Sequence, residues 1–377
     1  MAECWDIFCR VVDNYGDAGV AFRLARALAR EHGKRVRLRL DDPAVLSRLR
    51  PDFAGGLLDG VEVVRWEADW AEAAPVEAAE VADVVVETFG CDTPAGYVEA
   101  MAARSPMPRW INLEYLSAED WVEGSHALPS PHPRFAPLTR HFFFPGFTAK
   151  TGGLLRERGL LDRRDALQSD RVALEGAWRR FGVEPPPPDA LCVSLFAYPG
   201  APFASLLDAL AARRDPAWVV APEGPASEAL SAWLPAGGRE RGAVRGFPVP
   251  FLPQDAYDEL LWACHVNFVR GEDSFVRAQW AARPFAWHIY PQAEGAHWVK
   301  LGAFLSRYTA SLGRDEAAAV TGLWDCWNRG EALAAAWPAF EAALPRLAAP
   351  AREWARGLAR RADLASALAD FADNVLK

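Results

Sequence analysis

Apolar positions in the first forty residues change period twice. Asp6–Val12 (DIFCRVV) is a short β-type run. Val20–Glu31 (VAFRLARALARE) sets Phe22, Ala25 and Ala29 on one side, Leu24 and Leu28 flanking them, and arginines opposite, which is helical spacing. His32-Gly33 ends that helix, and Arg35–Leu40 (RVRLRL) returns to period two. Strand, helix and strand in this order predict a βαβ unit and therefore a parallel sheet. Further strands are predicted at Val61–Trp66, Ala82–Glu87, Trp110–Leu113 and Phe142–Phe144. The unbroken apolar run Val84–Val86 suits a strand covered on both faces.

Leu154–Arg180 reads as polar and helical and ends in Phe181–Pro188 (FGVEPPPP). A run of consecutive prolines is neither helix nor central strand, so 181–188 is expected to be a stiff connector and the domain boundary. Beyond it the pattern restarts. Strands are expected at Leu191–Phe196, Trp218–Ala221, Val244–Phe247, His265–Arg270 and Phe285–Ile289. Helices are expected at Pro202–Arg214, Asp255–His265 and Ser274–Ala282. From about His297 the chain reads as helical. Its last helix, Arg352–Leu376, spaces Trp354, Leu358, Ala365, Leu368, Phe371 and Val375 mostly three or four apart. The expectation is an α/β protein of two domains, 1–180 and 189–350, with the helix 352–377 packing back on the first.

Composition narrows the class. The chain has 377 residues, enough for two ordinary domains. A hydrophobic share of 51% with 16 Trp and 20 Phe supplies core material, which excludes a disordered or fibrous protein. The net charge of −9 argues against direct nucleic-acid binding. No apolar run reaches the roughly 20 residues of a membrane span. The start, MAECWDIFCR, lacks a basic region followed by an apolar one and reads directly as a strand, so a cytoplasmic protein is expected. The six cysteines (Cys4, Cys9, Cys91, Cys192, Cys264, Cys326) form no CxxC pair and are expected to be reduced and mostly buried, with no metal site.

Candidate chemistry sits in two loops. Rossmann-like halves present their functional loops at the carboxyl ends of strands. The first loop, Asp13-Asn14-Tyr15-Gly16-Asp17-Ala18-Gly19, lies at the first strand-to-helix junction. It is not GxGxxG, and its carboxylates repel the phosphates of a dinucleotide, which counts against a dehydrogenase. Asp13 and Asp17 suit a cation or a hydrogen-bond donor: they can grip a guanidinium and accept a proton. The same two residues would equally serve as an Asx turn and a helix cap. The second loop, Arg270-Gly271-Glu272-Asp273-Ser274-Phe275, opens a helix whose free N–H groups, with Arg270 and Ser274, can hold a phosphate. A capped helix with an exposed acidic turn explains it as well. Phe251, on a proline-flanked loop, can stack a base, and Gln254 can read the base edge. Phe196 and Tyr198 can line the same place. Other motifs fail: Phe147–Thr151 lacks the glycine of a P-loop, and no HExxH, GxSxG or Asp-x-Asp occurs.

Taken in order, DIFCRVVDNYGDAGVAFRLARALA, FFFPGFTAKTGGLLRE, SLFAYPG, VPFLPQDAYDELLWACHVNFVRGEDS and RGEDSFVRAQW…PFAWHIYPQ resemble the EarP family across nearly the whole chain. These are arginine rhamnosyltransferases of elongation factor P. The resemblance implies a GT-B fold: two Rossmann-like domains facing a cleft. It implies dTDP-β-L-rhamnose as donor, an arginine of elongation factor P as acceptor, an inverting mechanism and no cofactor or metal. It places Asp13, Asp17 and Glu272 at the reaction centre; the need to deprotonate a guanidinium there makes Asp17 the expected general base and Asp13 its orienting partner. Arg270, Asp273 and Ser274 fall near the pyrophosphate and Phe251 near the thymine; Tyr15, Gly16, Phe196, Tyr198, Gln254 and Tyr290 complete the donor set. Tyr15 stands where phenylalanine is frequent in the family. The competing expectations are a GT-B transferase with another acceptor and a non-catalytic nucleotide-binding regulator.

Overall fold

Why the chain splits where it does follows from its two sheets. The computed structural model describes residues 2–12, 15–66 and 76–375. It divides into one unit of 1–158 with 358–377 and a second of 159–357.

The first unit is built on β1 (Cys4–Cys9), β2 (Arg35–Leu40), β3 (Gly56–Leu58), β4 (Val61–Arg65), β5 (Val84–Thr88), β6 (Arg109–Leu113), β7 (Pro129–Pro131) and β8 (Thr139–Phe143). The sheet order is β3-β4-β2-β1-β5-β6-β8-β7, parallel except for the edge strands β3 and β7. All six residues of β1 are buried, including Asp6, which no apolar pattern anticipates. Its carboxylate accepts from Arg37 Nε at 2.5 Å, Arg39 Nε at 2.8 Å and the Tyr97 hydroxyl at 2.5 Å. A buried charge survives only with such partners. The first helix runs Tyr15–His32, so the expected loop 13–19 is already helical from Tyr15 onward.

The second unit holds β9 (Leu191–Leu195), β10 (Ala217–Pro222), β11 (Glu240–Arg241), β12 (Val244–Val249), β13 (Val266–Arg270) and β14 (Phe285–His288), ordered β11-β12-β10-β9-β13-β14. Only β11 is antiparallel.

The boundary falls at 158/159 rather than at 181–188, and this corrects the sequence expectation. The stretch Leu154–Arg180 is not one helix: it is two, Leu160–Ser169 and Arg171–Arg180, broken where the Asp170 side chain caps the second by accepting from Val172 N at 2.8 Å. Both helices belong to the second unit. Gln168 Nε2 donates to the Trp262 and Ala281 carbonyls, and Arg164 Nη1 to the Trp280 carbonyl. The proline run is therefore an internal connection leading from these helices to β9.

The C-terminal helix also differs from expectation. It breaks after the helix Ala336–Ala359 and continues as Leu364–Asp370 and a π-helical turn Phe371–Val375. Asp363 caps the new helix by accepting from Ser366 N at 3.0 Å. Residues 358–377 belong to the first unit. Leu364 N donates to the Leu154 carbonyl, Arg109 Nη1 to the Ala372 carbonyl, and Lys34 Nζ pairs with Asp373 at 2.9 Å. Gly153 makes the approach possible: its φ is +71°, and a Cβ there would lie 2.3 Å from the Ala362 carbonyl oxygen.

Candidate active site

In an open parallel sheet, ligands gather where the strand order reverses, at the carboxyl ends of the strands. In the first unit the chain proceeds from β1 outward to β2 and β4, then returns to the other side of β1 as β5. In the second it proceeds from β9 to β10 and β12, then returns beside β9 as β13. The two loops singled out from the sequence follow β1 and β13, so each lies at a switch point.

In the first unit Asp17 is 3% exposed, in the first turn of the helix Tyr15–His32. Its carboxylate reaches back: Oδ2 accepts from Val12 N at 2.9 Å, and Oδ1 from the Tyr115 hydroxyl at 3.4 Å. Asp17 does thus brace its own loop, as the capping alternative anticipated. Tyr15 begins the helix, and its hydroxyl accepts from Arg48 Nη1 at 3.1 Å, with the Arg48 guanidinium 5.7 Å above its ring. Gly16 follows within the first turn, half-buried. Asp13 lies outside the described residues. Val11 N, two residues before it, donates to Asp41 Oδ1 at 2.9 Å.

In the second unit the site residues converge. The Arg270 guanidinium lies 4.4 Å from the Phe196 ring centre and 4.7 Å from that of Tyr198, on the loop after β9. Such cation–π contacts hold a planar cation without neutralising it. The Ser274 hydroxyl closes the turn by accepting from Arg270 N at 3.1 Å and bonding the Arg270 carbonyl. Gly271 has a φ of +62°, which turns the chain out of β13 into the helix Asp273–Trp280. Glu272 occupies the N-cap position of that helix, with no side-chain capping bond to its first turn. Asp273 receives Gln254 Nε2 at 3.4 Å, which ties the start of the helix Gln254–Ala263 to this turn. Phe251 is half-buried three residues before Gln254. Arg277 and Asp258 clamp the two helices together through bonds of 2.9 and 2.6 Å, both side chains 2% exposed. Tyr290 stands edge-on to Tyr198 at 5.3 Å and is 55% exposed.

Three residues outside the predicted site set stand beside it. His288, at the end of β14, accepts from Tyr198 N at its Nδ1 at 3.1 Å. Burial, with Arg270 adding repulsion, lowers its pKa to about 4, so it is neutral at pH 7. Phe89 and Tyr115 follow β5 and β6, their rings stacked 4.7 Å apart at 19°. No local pattern points to them, because only the sheet order sets them beside Asp17. Among the described residues no group of three or more His, Cys, Asp or Glu is placed to hold a metal ion. No helix of the described residues is long and apolar enough to cross a membrane.

Comparison with known proteins supplies a family. The model described as "Elongation-Factor P (EF-P) rhamnosyltransferase EarP" matches residues 5–373. A protein-arginine rhamnosyltransferase of Pseudomonas putida is 49% identical over 386 residues, covering 100% of both chains. A solved structure reported as the structural basis for EarP-mediated arginine glycosylation of translation elongation factor EF-P is 38% identical, with a TM-score of 0.70 and 99% of each chain covered. A glycosyltransferase from Rickettsia africae is 10% identical with a TM-score of 0.56, covering 100% of this chain and 99% of its own, a likeness of fold alone. Two Rossmann-like domains of the GT-B class agree with the fold read from the sequence.

Proposed function

Since the chain belongs to the EarP family of elongation factor P rhamnosyltransferases and is a protein-arginine rhamnosyltransferase, we propose that it moves rhamnose from dTDP-β-L-rhamnose to an arginine of elongation factor P, in the cytoplasm, with Asp17 as general base. The observation carrying this reading is the Asp17 carboxylate: it is buried, held by Val12 N at 2.9 Å, and sits at a strand-order switch point.

The chemistry asks for such a group. A guanidinium has a pKa above about 12 and is a poor nucleophile while charged. In this reading one N–H proton passes from the acceptor arginine to Asp17, and that nitrogen forms the new bond to C1 of the sugar. The C1–O bond to the diphosphate breaks, and its electron pair leaves on dTDP. Displacement in line inverts the anomeric centre, giving an α-rhamnosyl arginine. Asp13 orients Asp17, and Glu272 positions the sugar or the acceptor. The leaving diphosphate takes its hydrogen bonds from Arg270, Ser274 and the N-terminal turn of the helix Asp273–Trp280. Asp273 lies beside it. Phe251 stacks the thymine and Gln254 reads its edge, while Phe196, Tyr198 and Tyr290 line the donor site of the second unit. No metal or cofactor takes part in this scheme.

The test is the intact mass of elongation factor P after incubation with the protein and dTDP-rhamnose. A gain of one deoxyhexose on the wild-type acceptor, and none when its arginine is changed to lysine, is the expected result. Donor turnover without that mass gain would mean another acceptor, and donor binding with no turnover a nucleotide-binding regulator.

A further inference from the structure

The stacked pair Phe89 and Tyr115 has no part in the scheme above. The sheet order β1-β5-β6 brings the ends of these three strands side by side, so the pair flanks the start of the helix that carries Asp17. Tyr115 is 37% exposed although its ring is stacked on Phe89 and its hydroxyl is bonded to Asp17 Oδ1. Phe89 holds a φ of +58°, a conformation that bulky side chains rarely take. Its N–H is fixed by the Leu113 carbonyl at 2.8 Å, which keeps the residue there. Backbone strain of this kind collects at ligand-binding positions. An exposed aromatic face next to a buried carboxylate is chemically specific. The face attracts a flat, weakly hydrated cation, and the carboxylate takes N–H bonds from that cation's edge.

We propose that the Phe89–Tyr115 stack is the seat for the planar guanidinium of the substrate arginine, with the Tyr115 hydroxyl holding the Asp17 carboxylate in place. This inference rests on the reading of the chain as an arginine-modifying enzyme and adds the group that selects arginine. A lysine ammonium is a compact point charge with no plane to stack, so the seat discriminates against it. The Tyr115 hydroxyl donates to Asp17 Oδ1 at 3.4 Å, a bond that phenylalanine at this position removes while keeping the ring.

The experiment uses the full chain and its Tyr115→Leu, Tyr115→Phe and Phe89→Leu variants. Calorimetric binding of dTDP serves as the fold control and stays within twofold of wild type. Two probes, acetyl-arginine methylamide and acetyl-lysine methylamide, are titrated by saturation-transfer NMR. The arginine probe is expected to bind wild type at least fivefold more tightly than the lysine probe, and to weaken at least fivefold in Tyr115→Leu and Phe89→Leu. In transfer assays, kcat/KM for elongation factor P falls at least tenfold in Tyr115→Leu. Tyr115→Phe keeps the arginine-probe affinity within twofold, but the acid limb of its kcat–pH profile moves to higher pH, which a merely structural role would not cause. Equal affinity for the two probes overturns the seat, as does arginine-probe binding unaffected by either leucine variant. An unmoved acid limb in Tyr115→Phe overturns the positioning role. If wild type transfers no sugar but the arginine probe still binds and still weakens in both leucine variants, the seat stands and the assigned reaction fails.

Discussion

Asp17→Asn separates catalysis from folding at the carboxylate proposed as the general base. The amide keeps the size of the side chain and an oxygen that can accept from Val12 N, whose present bond is 2.9 Å. It loses the charge and the capacity to take a proton. On the stability side, the bond from Val12 N becomes neutral and the Tyr115 hydroxyl can accept from the new amide instead of donating, a difference of about 1 kcal/mol. On the catalytic side, removing a general base costs roughly 10²–10⁴-fold, or about 2.7–5.5 kcal/mol of barrier. The two effects therefore differ by at least about 1.5 kcal/mol, and activity should collapse in a folded protein. The assay is the initial rate of mass gain on elongation factor P, with a urea denaturation curve and dTDP calorimetry on the same sample. A variant that transfers at within about tenfold of the wild-type rate would refute the general-base assignment. A variant with lost donor binding would refute the assignment of Asp17 to the acceptor side.

Three further outcomes follow from the geometry. Arg270→Lys removes the planar cation that contacts the Phe196 and Tyr198 rings; dTDP affinity by calorimetry should fall about tenfold, a loss of about 1.4 kcal/mol that lies within the range of cation–π contacts. Gly153→Ala combines a φ of +71° with a Cβ 2.3 Å from a backbone carbonyl, so hydrogen exchange of the helix Leu364–Asp370 should accelerate at least about fivefold, by a strain of ~1–3 kcal/mol. His288 is held at about 4 by burial and Arg270, below its unfolded value, so the folded form binds fewer protons between that value and the unfolded one. Its contribution is complete above pH about 6.5 and is lost as pH falls toward 4, on the order of 3 kcal/mol. His288→Asn keeps an acceptor for Tyr198 N, and its urea midpoints should fall less steeply over that window; equal slopes would show that His288 does not titrate on unfolding.

The sequence by itself determined the two α/β layers and their parallel strands, and it singled out the two loops proposed to carry the chemistry. Those features are written in local periods: the alternation of Arg35–Leu40 and the apolar run Val84–Val86 each report the burial of their own neighbours. The domain boundary was not legible that way. Four prolines look like a linker from their backbone restriction alone, yet which sheet a helix joins depends on long-range bonds such as Gln168 to the Trp262 carbonyl. The break in the C-terminal helix at 360–363 likewise depends on Asp363 capping and on Gly153 yielding space more than 200 residues away in sequence. The site divides along the same line. Asp17 and Arg270 stand in recognisable strings, whereas Asp6, His288, Phe89 and Tyr115 acquire their meaning only when strand order sets their partners beside them. A side chain's charge and size are local properties; burial, stacking and proton affinity belong to what surrounds it, and tertiary structure alone assembles those surroundings.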